Sequence, residues 1–275
     1  MGNPNNWTGE RLEINISNET MLEHLHRYAI AQELVKGKKV LDIACGEGYG
    51  VNLLAKQAGH VTGVDNDGAT IEKAKNKYKA GNITFKTGSA LQMPAENNCF
   101  DIITCFETLE HLSEHDLLLN ELKRVLVKGG ILLISTPEKL NYSDIPGYKN
   151  PYHQKELYGQ EFKDLLNRFF THTCFFSQTS FIGSVLQNET LDGPHKFYTG
   201  DYNDIQKGFA VPVMYWIAIA SDRELPSFSD SSFQHQKKLS QMLFEETEAL
   251  KKTITYRTGN VLLSPLKFIR SLFKR

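Results

Sequence analysis

The sequence predicts an α/β fold with a mainly parallel, seven-stranded sheet and helices on both of its faces. Strand-like and helix-like segments alternate four times between residues 39 and 135. This alternation is typical of a parallel sheet whose strands are joined by crossover helices. The first strand segment, residues 39–44, is a short apolar run, as expected when both faces of a strand are covered.

The order of the elements follows from apolar spacing and from turn residues. We expect helices over residues 19–35, 49–58, 68–79, 113–126 and 161–169. We expect strands over residues 39–44, 60–64, 82–86, 100–106, 131–135, 173–181 and 210–220. The first helix has a partly apolar stripe formed by Leu22, Leu25, Tyr28, Ala29, Gln32 and Leu34. Ser113 is expected to cap the fourth helix, and residues 138–160 to form a long loop or lid.

Length and composition indicate a globular protein with one large domain and an added segment. The 275 residues divide into a domain over residues 1–222, with an N-terminal cap and helix over 1–37, and a C-terminal helical extension over 223–275. The net charge of −1 offers no general attraction to nucleic acid, so we predict no nucleic-acid partner. The four cysteines lack metal-site spacing, and no apolar run is long enough to span a bilayer. These features predict a cytoplasmic protein.

A glycine-rich loop follows the first strand, where open parallel sheets bind their ligands. The glycines at positions 46, 48 and 50 depart from the dinucleotide fingerprint, which disfavours an NAD-dependent oxidoreductase. Asp42 adds a carboxylate at the start of the loop, where a diphosphate would be repelled. A carboxylate suits a ligand with an ammonium and a sulfonium group, and S-adenosylmethionine (SAM) carries both.

Five ordered elements strongly resemble class I SAM-dependent methyltransferases of the type 11-like group, which have a Rossmann-like fold. They are residues 40–50, Gly63-Val64-Asp65, residues 88–94, residues 100–103 and residues 122–130. The resemblance implies a methyltransferase that uses SAM and releases S-adenosylhomocysteine. The cofactor-binding residues that it implies are Arg27, Asp42, Ala44, Cys45, Gly46, Gly48, Tyr49, Asp65, Asn66, Ser89, Ala90, Leu91 and Phe106.

Within that set, the resemblance gives the acidic side chains distinct roles. Asp42 and the backbone of residues 44–46 would hold the methionine end of SAM, and Asp65 would accept the ribose hydroxyls. Ser89 and its neighbours would border the adenine, although many relatives have Asp at that position. A structural carboxylate at Asp42 and a plain turn residue at Ser89 remain alternatives. Arg27 would pair with the SAM carboxylate; its alternative is a surface salt bridge.

Further stretches at residues 8–11, 23–28, 106–111 and 150–156 resemble a bacterial subfamily often associated with surface-polysaccharide assembly, such as that of O-antigen. This resemblance implies O-methylation of a sugar hydroxyl in surface-glycan or nucleotide-sugar metabolism. The acceptor would contact two or three of the aromatic residues Tyr142, Tyr148, Tyr152, Tyr158, Phe197, Tyr198 and Tyr202. Two alternatives remain: methylation of a small molecule such as a quinone or amine, and a non-catalytic SAM-binding partner of a glycan-assembly complex.

A sugar hydroxyl is a poor nucleophile at neutral pH, so its methylation needs a general base. His111, oriented by Glu107 or Glu110, is the first candidate, and His153 is the second. The alternatives are a helix-start residue bonded to nearby backbone for His111 and a solvated loop residue for His153. The same side chains offer ligands for a divalent metal. The sequence lacks the acid-rich clusters of metal-dependent sugar methyltransferases, however, and we predict no metal.

The C-terminal stretch, residues 260–275, has the pattern of a basic amphipathic helix. Its apolar side chains are Leu266, Ile269, Leu272 and Phe273, and its basic side chains are Lys267, Arg270, Lys274 and Arg275. Such a helix can lie on an anionic membrane, which would place the protein peripherally at the inner face of that membrane. The alternative is a terminal helix packed on its own domain or on a second subunit of a homodimer.

Overall fold

The structure is a computed structural model that describes residues 19–181, 196–200, 202–208, 211–234, 247–248, 250–253 and 255–259. The predictions for residues 8–11 and for the tail over 260–275 therefore lie outside the described residues. In the described ranges, no helix has the length and the apolar character that a membrane span requires.

Seven strands form one twisted sheet. The described residues contain nine strands in chain order, of which β7 and β8 pair only with each other and the other seven form the sheet: β1 (Lys39–Ile43), β2 (His60–Asp65), β3 (Ile83–Thr87), β4 (Phe100–Cys105), β5 (Leu126–Pro137), β6 (His172–Gln178), β7 (Tyr198–Gly200), β8 (Ile205–Lys207) and β9 (Tyr215–Ser221). The order in the sheet is β3-β2-β1-β4-β5-β9-β6. The first five are parallel, whereas β9 runs antiparallel to both β5 and β6. The predicted mainly parallel, seven-stranded sheet is confirmed.

Helices cover both faces of this sheet and bury two apolar clusters. The α-helices are α1 (Glu19–Leu34), α2 (Tyr49–Leu54), α3 (Gly68–Lys77), α4 (His115–Val125) and α5 (Gly159–Phe169). One cluster includes buried side chains of α4 and α5, such as Leu119 and Phe162. The other includes side chains of α1, α2 and α3, such as Ala31, Val51 and Ile71. The carboxyl ends of the parallel strands stay at one edge between these layers, where the predicted cofactor loop lies.

Helix α1 buries a different face from the one that the apolar spacing predicts. Its buried residues are Glu23, Arg27, Tyr28 and Ala31, whereas Leu22 and Leu25 are half-buried. Of the predicted stripe, Tyr28 is buried and Leu34 packs against the core, whereas Leu22, Leu25, Ala29 and Gln32 are only half-buried. The physical reason is that polar partners on the sheet, described below, face this side of the helix and allow charged side chains to be buried.

Three further predictions need correction. Ser113 does not cap α4, since the helix begins at His115 and the Ser113 hydroxyl donates instead to Glu114 Oε2 at 2.6 Å. The segment over 138–160 is not loop throughout, because Leu140–Asp144 forms a π-helical turn and α5 already begins at Gly159. A short antiparallel hairpin of β7 and β8 has no counterpart in the predicted elements.

Residues that follow β9 return to the surface of the same domain. Leu225 and Phe228 pack against the cluster beneath α1. His26 of α1 lies 2.8 Å from the Ser231 hydroxyl and stacks on Phe233 at 5.9 Å between ring centroids. The start of the predicted extension thus lies against the sheet domain, and the division of the chain at residue 222 stays a prediction.

Gly63 of β2 is required by the close packing beneath the cofactor loop. A Cβ at this position would lie 2.7 Å from Val51 Cγ2, 2.9 Å from Cys45 Sγ and 2.9 Å from Phe85 Cδ1. These distances are shorter than van der Waals contact, and all three neighbours belong to the packed core. A larger residue would therefore force the loop after β1 away from the sheet.

We expect Gly63→Ala to lower the free energy of unfolding by about 1–3 kcal/mol, because overpacking a tight core strains its neighbours. Urea unfolding followed by circular dichroism measures the change. Gly81→Ala is the matched control, since a Cβ there would meet nothing within 4 Å. Equal stability of the two variants would contradict this account of the packing.

Candidate cofactor cleft and histidine cluster

The loop after β1 holds three residues with positive φ. Ala44, Gly46 and Gly48 have φ angles of 55°, 53° and 81°, a region that residues other than glycine seldom adopt. The bend is fixed by the Gly48 N–H, which donates to the Cys45 carbonyl, and by the Cys45 N–H, which donates to the Val64 carbonyl. A Cβ on Gly46 would meet nothing within 4 Å. The loop therefore presents open backbone above the end of β1, as close approach of a ligand requires.

Asp65 joins the loops that follow β1, β2 and β3. Its Oδ2 accepts a hydrogen bond from the Gly46 N–H at 2.9 Å, and its Oδ1 accepts one from the Asp67 N–H at 2.9 Å. Its carbonyl accepts from the Gly88 N–H at 2.9 Å. Asn66, the next residue, is exposed. The structure thus places Asp65 beside the glycine bend, as the sequence spacing predicts.

Asp42 lies beneath the same loop and is 1% exposed. The Thr104 hydroxyl donates to Asp42 Oδ1 at 2.6 Å, and the Tyr28 hydroxyl lies 3.2 and 3.1 Å from the two carboxylate oxygens. Burial raises the pKa of Asp42 to about 7. The carboxylate is therefore bonded within the protein, and its contact with the methionine end of SAM stays a prediction.

Aromatic side chains connect α1 to the cofactor loop. Tyr28 packs edge-on against Tyr49 and Phe106, with centroid distances of 5.5 and 5.2 Å. The Tyr49 hydroxyl lies 2.8 Å from His24 Nδ1. Burial, together with the nearby guanidinium of α1, lowers the pKa of His24 to about 3, so this imidazole is neutral. Helix α1 therefore forms one wall over the loop without placing a histidine charge there.

Arg27 is the charged side chain that α1 buries. Its Nε donates to Gln178 Oε1 at 2.7 Å, its Nη1 lies 3.0 Å from Glu107 Oε1, and its guanidinium carbon lies 4.5 Å from the Tyr215 ring centroid. Its Nη2 is buried and has no hydrogen-bond partner among the described residues. The alternative of a surface salt bridge is therefore wrong, and the unpaired Nη2 fits the carboxylate of a ligand.

Ser89 lies in a tight turn beside the end of β3. Its hydroxyl accepts from the Leu91 N–H at 3.1 Å, and its carbonyl accepts from the Gln92 N–H at 3.2 Å. Ser89 is exposed, whereas Ala90 and Leu91 are half-buried and pack against the core. This geometry matches the turn-residue alternative, and the adenine contact of these residues stays a prediction.

Glu107 follows the end of β4 and links the cleft to the catalytic candidates. It has a φ of 48°, a strained conformation that is found at functional sites. Its N–H donates to the Ser135 hydroxyl at 3.2 Å, and that hydroxyl donates to Glu107 Oε1 at 2.6 Å. Since the same oxygen pairs with Arg27, the Glu107 carboxylate is held between α1 and β5.

Glu110 is buried one turn further along the chain. Its Oε2 accepts from the Thr136 hydroxyl at 3.2 Å, and its Oε1 lies 3.9 Å from His111 Nε2. Its carbonyl accepts from the N–H groups of Gln154 and Lys155. Burial, with the nearby carboxylate at the end of β4 as the next cause, raises the pKa of Glu110 well above its usual range. The turn at Glu110 therefore fixes the segment over 150–156 to the end of β4.

His153 of that segment lies against His111, with 5.0 Å between the ring centroids. Its Nδ1 lies 2.5 Å from Glu156 Oε1, and its Nε2 lies 3.0 Å from Asn150 Nδ2. Tyr142 stacks on the ring at 5.4 Å, and the His153 side chain is only 7% exposed. The alternative of a solvated loop residue is therefore wrong. We call Glu110, His111 and His153 the histidine cluster.

The hydrogen bonds of the two imidazoles fix their tautomers. His111 Nδ1 lies 3.1 Å from the Tyr152 carbonyl, which can only accept a hydrogen bond, so Nδ1 carries the proton. His153 Nδ1 faces a carboxylate and donates to it for the same reason. In the neutral form of each ring, Nε2 is therefore the atom with the lone pair, able to accept a proton.

Sequence patterns did not indicate several partners of these residues. Thr104 lies opposite Asp42 in the β1–β4 register, and Gln178 and Tyr215 come from strands far along the chain. Only the i, i+3 spacing of His153 and Glu156 is a local signal that points to a pair. The other partners depend on which strands become neighbours, which no local pattern gives.

The pKa of Asp42 has a testable consequence. Because the folded-state pKa, about 7, lies above the ordinary value of 3.8, folding takes up a proton between these limits. The stability contributed by this group is thus complete at low pH and is lost as the pH rises through about 7. We expect the unfolding free energy of Asp42→Asn, relative to the wild type, to increase by about 4 kcal/mol between pH 4 and pH 8.

Urea unfolding of both proteins without cofactor across this pH range measures the difference. Taking the difference removes the other titrating groups, which both proteins share. A difference that does not change with pH would rule out a raised pKa at Asp42.

Comparison with known proteins identifies the family. The profile of a methyltransferase domain family matches residues 34–204. A Mycolicibacterium smegmatis protein named "Probable S-adenosylmethionine-dependent methyltransferase" is 33% identical over 178 residues, which are 60% of this chain and 68% of that protein. A Mycobacterium tuberculosis protein of the same printed name, Rv3030, is 30% identical over 164 residues, which are 58% of each chain.

Solved structures agree on the fold. The YcgJ protein of Bacillus subtilis superposes with a TM-score of 0.54 at 17% identity, covering 73% of this chain and all of that one. A SAM-dependent methyltransferase of Archaeoglobus fulgidus superposes with a TM-score of 0.52 at 20% identity, covering 74% and 94%. Together with the sequence relatives, these likenesses show that the chain belongs to the SAM-dependent methyltransferases of Rossmann-like fold.

Proposed function

We propose that this enzyme transfers the methyl group of SAM to a hydroxyl oxygen of a sugar, in surface-glycan or nucleotide-sugar metabolism. The observation that carries the proposal is the His153–Glu156 pair, packed against His111 at the edge where β4 ends. An imidazole whose Nδ1 is held by a carboxylate can take a proton at Nε2, which a hydroxyl acceptor requires. A neutral amine acceptor already has a reactive lone pair, so its methylation would not need such a pair.

The cleft supports a specific placement of the cofactor. Bound SAM supplies a methyl group on positively charged sulfur, which is already activated for displacement. The unpaired Arg27 Nη2 would bind its carboxylate, and the open backbone at Gly46 would approach its methionine part. Asp65 would accept from the ribose hydroxyls, with the Ser89 turn beside the adenine. Each carboxylate oxygen of Asp65 accepts one backbone N–H, which holds the carboxylate at the edge of the glycine bend.

The proposed roles of the histidines follow from their hydrogen bonds. Methyl transfer is an in-line displacement, so the enzyme aligns the acceptor oxygen and excludes water. The acceptor proton would move to Nε2 of His153 or of His111. For His153, the acceptor would take the place of the Asn150 amide that now lies 3.0 Å away. The Glu156 carboxylate would then stabilise the imidazolium that forms.

The segment over 140–158 supplies the surface that favours a sugar. Tyr142 is stacked on His153, whereas Tyr148, Tyr152 and Tyr158 are exposed. Aromatic faces pack on the C–H faces of sugars, and the tyrosine hydroxyl adds a hydrogen bond. Several tyrosines beside a proton acceptor thus fit a polyhydroxylated acceptor better than a compact amine.

A second candidate acceptor is a phenolic hydroxyl of a quinone precursor. A Coxiella burnetii protein named ubiquinone biosynthesis O-methyltransferase is 32% identical over 133 residues, which are 48% of this chain and 55% of that protein. Both candidates are O-methylations and would use the same proton acceptor. Membrane contact through residues 260–275 and a homodimer remain predictions.

We expect Asp65→Ala to weaken the binding of S-adenosylhomocysteine by about 10- to 100-fold, the loss for one or two hydrogen bonds to a charged group. Isothermal titration calorimetry measures the affinity, and the melting temperature without ligand reports on the loop. Glu72→Ala is the control, because Glu72 is an exposed acid on the outer side of α3. An unchanged affinity would refute the ribose contact.

The acceptor is tested by incubating the protein with radiolabelled SAM and nucleotide sugars, polysaccharide, quinols or amines. We expect label on an oxygen of a sugar, with turnover lowered by about 10²- to 10⁴-fold in His153→Gln or His111→Gln. The affinity for S-adenosylhomocysteine should stay within twofold of the wild type in both variants. Transfer only to an amine would overturn the proposal, and transfer only to a quinol would select the second candidate.

A further inference from the structure

We propose that the histidine cluster is a binding site for one divalent transition-metal ion, with Glu110, His111 and His153 as ligands. This inference differs from the sequence-based prediction of no metal. One ligand atom from each of the three side chains can be chosen so that all lie within 4.8 Å of one another. Two imidazoles and one carboxylate form a donor set that binds zinc and related ions in proteins.

The second observation is the way in which both imidazoles are held. A histidine that binds a metal through one nitrogen usually donates the other N–H to a carboxylate or a backbone carbonyl. His153 Nδ1 donates to Glu156, and His111 Nδ1 donates to the Tyr152 carbonyl. Both rings are therefore oriented by such a partner and have Nε2 as the atom that can bind a metal.

The charges near the cluster also fit a divalent cation. The carboxylate of Glu107 is paired with Arg27, so this ion pair contributes little net charge. In the described part of the chain, no lysine or arginine lies within 4.0 Å of Glu110 or Glu156, whose ion-pair partners are the two histidines. A cation that binds between Glu110 and His153 would therefore not have to displace a lysine or arginine from either carboxyl group.

The described geometry is slightly wider than a closed metal site. Ligand atoms on a tetrahedral zinc ion lie about 3.3 Å apart, as follows from bond lengths of about 2.0–2.1 Å. Glu110 Oε1 and His111 Nε2 are 3.9 Å apart, and His153 Nε2 faces the Asn150 amide. Since the widest pair of ligand atoms is up to 4.8 Å apart, a bound ion would draw the ligands together by as much as about 1.5 Å and displace the Asn150 side chain.

The site also bears on the proposed function, on which this consequence rests. Three protein ligands leave at least one coordination position open. The cluster follows β4 at the same edge as the cofactor loop. An acceptor hydroxyl at that position would be held by the ion, which would lower the pKa of its proton. With both Nε2 atoms bound to the metal, the histidines would position the acceptor, and the proton would pass to solvent instead of to an imidazole.

Cobalt(II) is the probe of choice, because histidine and carboxylate ligands give it visible absorption bands. The 275-residue chain is treated with EDTA and titrated with Co²⁺ without SAM. We expect one ion per chain, and loss of the bands in His111→Gln and in His153→Gln. His172→Gln, at an exposed histidine on β6, should retain them. We expect Glu156→Gln to weaken binding by about 10- to 100-fold, as removal of such an orienting partner does.

Unchanged thermal unfolding and unchanged binding of S-adenosylhomocysteine show that each variant is folded. Absence of stoichiometric binding, or bands that persist in both cluster variants, would overturn the metal site. If the protein binds no Co²⁺ and still transfers methyl groups after EDTA treatment, the metal site is wrong but the proposed function stands. The histidines would then act as the general base. Metal binding without methyl transfer to any acceptor would instead contradict the proposed function.

Discussion

The buried ion pair of Arg27 and Glu107 connects the parts of the molecule on which the site depends. It joins α1 to the end of β4, and the same guanidinium contacts Gln178 of β6 and the ring of Tyr215 of β9. Removing one partner of a buried pair leaves an uncompensated charge, which is costly. This pair therefore fixes the position of α1 over the cofactor loop and fixes Glu107 in its strained conformation between the cofactor cleft and the histidine cluster.

The two halves of the site differ in how their acids are used. Asp42 is fully buried, and burial favours its protonated form even though the hydroxyls of Thr104 and Tyr28 donate to it. Asp65 accepts two backbone N–H groups and shapes the loop edge directly. Asp42 therefore lies beneath the floor of the cleft, whereas Asp65 holds the backbone of the loops at its edge. Beyond β4, Glu107 pairs with a guanidinium, and Glu110 and Glu156 lie against imidazoles.

The sequence predicts the sheet and the cofactor loop well, because both are encoded locally. Alternating segments, three closely spaced glycines and an acid 19 residues after Gly46 are visible in the chain itself. The buried face of α1 is not visible in this way, because Glu23 and Arg27 are buried through partners at least 80 residues away. The same holds for the partners of Asp42 and for the approach of His153 to His111. Long-range pairing decides these contacts, and local pattern cannot supply it.

The placement of β9 between β5 and β6 has a consequence for synthesis of the chain. Among the described strands, β6 pairs with β9 alone, and β9 is made about forty residues later. In a nascent chain that ends before residue 215, β6 therefore has no neighbour among these strands, and the outer edge of β5 is not covered by β9. Unpaired edges of this kind attract other strands. In the ribosome-bound chain, the edges of β5 and β6 thus stay exposed until β9 is made and inserts between them.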